Sequence, residues 1–331
     1  MKTKEMKSGK IWLSALAIAL LFAFAACSNP TESDSRNNNS NQPGQNVGTD
    51  NPGHIVLDRD GWYEIIGKIK DGGDGKDWVI TIQDEIEIDS SDWRKSTFGD
   101  VEDITVTLKG NGALNLAVKK GYSHLLTIGK AQTLIIDGQN LTLRGLKTND
   151  YYYASIIGVN DGAKLFLKRG TLTGNLSVCG GGVYVYDGGE FTMNGGTIID
   201  NEARLYGAGV KIEDKGKFTM TNGTITENKA KRGGGVFAYG IFEMTGGEIS
   251  LNSARYGAGV YTDGSKSAFR KSGGTVYGVD SYLGNTAEKH GDAFYQGNLY
   301  GTAGYGYFDG NGDWVFDENI VSKGHYTDTT I

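Results

Sequence analysis

A unit of about 25 residues recurs from Gly180 onward, and no other feature restricts the possible folds so strongly. The copies are GGGVYVYDGGEFTMNGGTIIDNEA from Gly180, GAGVKIEDKGKFTMTNGTITENKA from Gly207, GGGVFAYGIFEMTGGEISLNSA from Gly233 and GAGVYTDGSKSAFRKSGGTVYG from Gly257. Their first glycines lie 27, 26 and 24 residues apart, and a degenerate fifth copy, GDAFYQ, starts at Gly291. Each copy holds three short apolar stretches separated by Gly-containing turns. A unit of this length is too short for two packed helices, and runs of Gly oppose helix. It is the length of one coil of a parallel β-solenoid, in which neighbouring repeats bury a continuous core.

Side chains alternate between the two faces of a strand, and coils in such a stack are spaced by roughly 4.8 Å. The alternation therefore predicts inward columns: Val183, Val210, Val236 and Val260 in the first stretch, and Phe191, Phe218, Phe242 and Phe269 in the second. Met193, Met220 and Met244 follow two residues later. In the third stretch Ile198, Ile225, Ile249 and Val276 precede Asn201, Asn228, Asn252 and Asn285. Identical Asn side chains stacked at a coil corner can hydrogen-bond one another, so these four are read as a structural ladder.

Upstream, Leu165-Phe166-Leu167, Gly170-Thr171-Leu172 and Asn175 match the same pattern 26 residues before Phe191. Earlier strands are expected at Leu134–Ile136, Leu141–Leu143, Ile104–Val106 and Leu125–Ile128. The coils should occupy residues 75–299 as one elongated domain, with 54–74 capping the first rung and 300–331 the last, because terminal repeats must hide an open core. Residues 27–53 contain almost no large apolar side chain and read as a disordered polar tether.

Residues 1–26 read as a signal peptide: Lys2, Lys4, Lys7 and Lys10 precede an apolar stretch from Ile11 to Ala26. It ends in Phe24-Ala25-Ala26-Cys27, which resembles a lipobox, with Phe24 where that motif commonly carries Leu. The resemblance implies lipid attachment at Cys27 and anchoring in a bacterial envelope, on the outer membrane, with surface and periplasmic sides both open. Acylated Cys27 leaves Cys179 without a disulfide partner, and a column shared with Tyr206, Arg232 and Tyr256 marks Cys179 as structural.

Lipobox, polar tether and GGGVY…FTMNGGTI…N-x-A rungs together resemble the right-handed β-helix lipoproteins of spirochaetes and other host-associated bacteria. More distantly, the rungs are similar to those of polymorphic outer-membrane adhesins and of the pectate-lyase-like superfamily. The resemblance covers roughly residues 155–300 and implies an all-β, right-handed parallel β-helix. For function it implies a lipid-anchored binding or adhesion protein; a polysaccharide lyase or glycoside hydrolase and a passive envelope protein are the alternatives. Coils of this kind host all three.

If the valines point inward, their neighbours point out. Tyr184, Lys211, Phe237, Tyr261 and Tyr295, with Tyr186 and Tyr239 two residues along, then form a strip of exposed aromatics. Such a strip either serves only to stabilise the sheet through cross-strand aromatic pairs or suits sugars or a protein partner. Removing residues 1–26 takes away four Lys and one Glu and leaves 29 basic against 38 acidic side chains, a surface that repels nucleic acid.

For catalysis, the best column is Asp187, Asp214 and Asp263, although each stands in a turn context that favours Asp for conformational reasons. Calcium is the one cofactor left open, at Gly72–Asp77 or at Asp309, Asn311 and Asp313; both stretches read better as turns. His54, His124, His290 and His325 lack metal-ligand spacing. The basic row Arg204, Lys231, Arg255 and Lys289 reads as a solvated edge rather than an anion site.

Overall fold

The computed structural model describes residues 53–89, 93–118, 124–148, 154–264, 267–279 and 281–296, with the backbone of 306–308 and 314–316. Cys27, the signal segment, most of the tether, Asp309, Asn311, Asp313 and His325 lie outside the described residues.

Three parallel sheets wind into a solenoid of about eight turns. The longest sheet runs from His54–Val56 through Asp77–Ile82, Ile104–Gly110, Gln132–Arg144 and Lys164–Thr173 to Glu190–Ile199, Lys217–Thr226, Ile241–Ser250 and Ala268–Val276. A five-stranded sheet stacks Leu176–Cys179, Glu202–Tyr206, Lys229–Arg232, Ser253–Tyr256 and Thr286–His290. A seven-stranded sheet stacks Leu126–Ile128, Ile157–Val159, Val183–Val185, Val210–Ile212, Val236–Ala238, Val260–Thr262 and Phe294–Gln296.

The register follows the repeat residue by residue. Val183 pairs with Val210, Val210 with Val236 and Val236 with Val260, and all four are fully buried. Phe191, Phe218, Phe242 and Phe269 stack nearly parallel, their ring centroids 4.6, 4.7 and 4.8 Å apart. The rings sit at the coil spacing itself, so strand pairing and aromatic contact are satisfied by one geometry.

The corner between the long and five-stranded sheets is a single residue in the left-handed region: Asp200, Glu227 and Leu251 have φ of 54°, 56° and 53°. That conformation is unfavourable for a side chain. The next residue offsets the cost. Asn201, Asn228, Asn252 and Asn285 are fully buried, and each amide Nδ2 of the first three donates to the Oδ1 of the next at 3.1, 3.0 and 2.9 Å. Backbone N–H groups join the same oxygens, and Asn175 starts the ladder by donating its N–H to Asn201 Oδ1 at 3.2 Å. At the next corner, Gly207 has φ of 60°, and a Cβ there would meet Val210 O at 2.4 Å, so only Gly fits.

The first coil is closed by a helix, Arg59–Asp71, capped by Asp58, whose side chain accepts the Gly61 N–H at 2.8 Å. Trp62, Ile65, Ile66 and Ile69 turn one face of it onto the core. Among the described residues, no helix is long and apolar enough to cross a membrane.

Candidate functional site

The glycine corner swings the end of the five-stranded sheet alongside the seven-stranded one, and the outward residues of both meet there. One column is Tyr184, Lys211, Phe237, Tyr261 and Tyr295, paired in register. Its neighbour is Cys179, Tyr206, Arg232, Tyr256 and His290. The expected strip of exposed aromatics needs correction at this point. Phe237 is fully buried, Tyr261 is 5% exposed and Lys211 is 3% exposed. They do point out of the coil, but the second column folds over them: the Tyr206 ring lies 4.7 Å from Phe237, and Arg232 stands 5.7 and 5.8 Å from the Tyr206 and Tyr261 rings. Tyr184, Tyr186, Tyr239 and Tyr295 remain partly exposed.

Lys211 can be buried because its charge is met. Its ammonium donates to Glu213 and, at 3.0 Å, to the Tyr184 hydroxyl, which itself donates to Glu213. The same ammonium stands 4.4 Å from the Tyr184 ring centre and 5.3 Å from that of Tyr239. A paired lysine among aromatic faces is tolerated where a lone one is not. Burial and the Glu213 charge push the Tyr184 phenol far above its ordinary range.

One coil earlier, Gly158 leaves room in this column for His124, whose ring would lie 2.7 Å from any Cβ there. The Ser155 N–H donates to His124 Nδ1 at 3.0 Å, with Ser155 Oγ 2.7 Å from the same nitrogen. Nδ1 is therefore an acceptor, and the ring proton belongs on Nε2, 3.1 Å from the Tyr186 hydroxyl. Tyr186 accepts that bond and keeps its own proton to offer elsewhere.

Beside Tyr186 the surface opens into a depression of about 520 Å³, lined by Asn160, Asp161, Tyr186, Asp187, Glu213, Asp214 and Tyr239. Burial pushes the Tyr186 and Tyr239 phenols up to about 12, helped at Tyr186 by the Glu213 carboxylate and at Tyr239 by Tyr206 and Asp263. Both rings therefore keep their hydroxyl protons at any physiological pH.

The expected acidic column is also corrected. Asp187 and Asp214 stand four residues after Val183 and Val210, and Asp161 stands four after Ile157; Asp263 is only three after Val260. Asp263 thus continues the row of Tyr186, Glu213 and Tyr239, and Asp161 takes the place expected for it. Asp187 Oδ1 accepts the Lys215 N–H at 3.3 Å, a turn contact. Asp263 is 8% exposed, its Oδ1 receives no hydrogen bond, and burial raises its pKa against the opposing charge of Arg232.

Residues 86–254, half of the chain, match the family model described as a right-handed beta helix region. The chain belongs to the right-handed β-helix family. No curated protein and no solved structure matches it. The β-helix thus places the depression at the turns that follow the strands of its seven-stranded sheet, and the remaining candidates lie elsewhere. Cys179 is a buried free thiol whose pKa burial raises, which suits packing rather than attack. Asp74, in the glycine-rich calcium-like segment, accepts the Glu102 N–H at 2.7 Å and so staples a turn. Among the described residues, no group of three or more His, Cys, Asp or Glu is placed to hold a metal. Of the basic row, Lys231, Arg255 and Lys289 are exposed and Arg204 is partly so.

Proposed function

We propose that this β-helix is a lipid-anchored envelope protein that binds a ligand, carbohydrate above all, in the depression between Tyr186 and Tyr239. The observation that carries the reading is the depression itself: two partly exposed phenol rings on alternate coils, with Asn160 and carboxylates around them. Flat rings with polar tips and nearby acceptors suit polyhydroxylated ligands. The anchor is proposed from the Lys-rich start, the apolar stretch and the Ala25-Ala26-Cys27 ending, and the polar segment to residue 53 would let the body stand away from the membrane.

The burial of Phe237 and Tyr261 narrows the test, since replacing them would damage packing. Tyr186→Thr with Tyr239→Thr keeps strand propensity and should abolish retention on glycan arrays while the chain still folds, at an unfolding midpoint lowered by the lost contacts to Tyr184, Phe237 and His124. Retention unchanged in the folded variant would remove this face from consideration. For the anchor, labelled palmitate should enter the parent and not Cys27→Ala; equal labelling would refute lipidation there.

An enzymatic reading has one observation in its favour. Asp161, Asp187 and Asp214 sit on successive rungs, about 5 Å apart by coil spacing, near the carboxyl separation of retaining glycosidases. Release of reducing ends from a glycan bound in the depression would establish it. We expect none, because Asp187 is spent on the Lys215 turn and Glu213 on Lys211 and Tyr184.

A further inference from the structure

The depression holds more negative charge than its surroundings neutralise. Asp161, Asp187 and Asp214 are all exposed. The fourth carboxylate, Glu213, is already engaged by Lys211, and no cationic side chain lines the depression.

The same face also displays what fits it. The Lys211 ammonium rests against the rings of Tyr184 and Tyr239 while bonded to Glu213, so one positive nitrogen between phenol faces and a carboxylate is already stable here. The depression beside it is lined by the same kinds of group, the phenols of Tyr186 and Tyr239 and the carboxylates of Asp161, Asp187 and Asp214.

We propose that the depression takes a glycan through protonated amino groups, binding glucosamine-type units and rejecting uronic-acid ones. The inference rests on the binding reading above and names its ligand. Ammonium groups would lie over the Tyr186 and Tyr239 faces, close to Asp161 and Asp214. Asn160 and the Tyr186 hydroxyl, whose proton His124 leaves available, would meet sugar hydroxyls. A polyuronate would bring like charge into an anionic basin. A lysine-rich peptide shares the charge but not the need for these neutral polar groups, and is therefore the rival that the experiment must separate.

Calorimetry on the full chain at about pH 5.5, where carboxylates are ionised, would compare a glucosamine hexamer, its fully N-acetylated form, oligogalacturonate and oligolysine. The glucosamine hexamer should bind at least tenfold more tightly than the acetylated one and lose affinity as salt is raised. Asp161→Asn with Asp214→Asn, both exposed and isosteric, should weaken it on the order of tenfold and flatten the salt dependence. Equal binding of the acetylated hexamer overturns the inference while leaving the carbohydrate reading intact. Preference for oligogalacturonate, or for oligolysine over both hexamers, also overturns it, and binding of no glycan removes both readings together.

Discussion

Two ladders of side chains run along this solenoid under different rules. Inside, Phe191, Phe218, Phe242 and Phe269 repeat one residue at one spacing. Outside, Tyr184, Lys211, Phe237, Tyr261 and Tyr295 change chemistry from rung to rung, and Arg232 lies against the rings of Tyr206 and Tyr261. An interior column meets the same close-packed surroundings in every coil, so one side chain serves throughout. The outward column has neighbours that vary, and each rung must satisfy a different set of charges and rings. Repetition therefore maintains the coil, and departures from it follow the different neighbours that each outward rung has to satisfy.

The sharpest way to break this contrast is to put a charge on the wrong side of one strand. Lys211 is accommodated outward, whereas its neighbour Val210 faces the core with no polar partner. Val210→Asp should cost about 3–5 kcal/mol, the range for an uncompensated buried charge, and should lower the urea midpoint accordingly. A midpoint like the parent's would reverse the assignment of inside and outside.

A smaller loss is expected at the corner. Asn228 accepts from Asn201 and donates to Ile198 O, Thr226 O and Asn252 Oδ1. Asn228→Ala leaves several buried groups unpaired and should cost about 3 kcal/mol, seen as a lower thermal midpoint and faster amide exchange on the flanking rungs. An effect as small as that of an exposed substitution would mean that the ladder is not what holds the left-handed corner.

The smallest effect at neutral pH belongs to the outer rings, and it grows in alkali. The Tyr186 and Tyr239 phenols titrate at about 12 when folded, against about 10 in an unfolded chain. A folded pKa raised in this way gives stability that is complete below about pH 10 and is lost as pH rises through 12. Tyr186→Phe with Tyr239→Phe should cost only about 1 kcal/mol at neutral pH, the worth of the His124 hydrogen bond. Between pH 10 and 12 its stability should fall less steeply than the parent's, with the missing tyrosinate absorbance as a check. Parallel slopes would show that these phenols are not held protonated by the fold.

The coil, its inward columns and the Asn corner are all legible in the sequence, because stacking converts a repeat directly into contact. Three things are not. Alternation tells whether Phe237 points out of its own coil, but it does not tell that Tyr206, from another sheet, lies across it. The acidic column could have been found by counting: Asp161, Asp187 and Asp214 share an offset from Ile157, Val183 and Val210 that Asp263 does not share with Val260. Alignment on Asp-Gly turns concealed this. His124 gives no local signal at all, since its place depends on the missing side chain of Gly158 one coil away. The cap expected over residues 54–74 holds a helix that was not anticipated, although Asp58 and the helical spacing of Trp62, Ile65, Ile66 and Ile69 signal it.

The amide ladder also bears on how such a chain can change its length. Its hydrogens all pass the same way, from Asn201 toward Asn285, so each coil presents to the next what the previous one presented to it. A whole coil can be duplicated or deleted without disturbing this handover, and reach then changes in steps of about 4.8 Å. Fractions of a coil are treated differently. Asn252 and Asn285 are 33 residues apart yet still bonded, and the surplus leaves the stack between Val276 and Asn285, where Tyr282 stands 90% exposed. The ladder thus acts as a ruler during divergence: whole coils extend the rod, and anything less is expelled as a loop on its side.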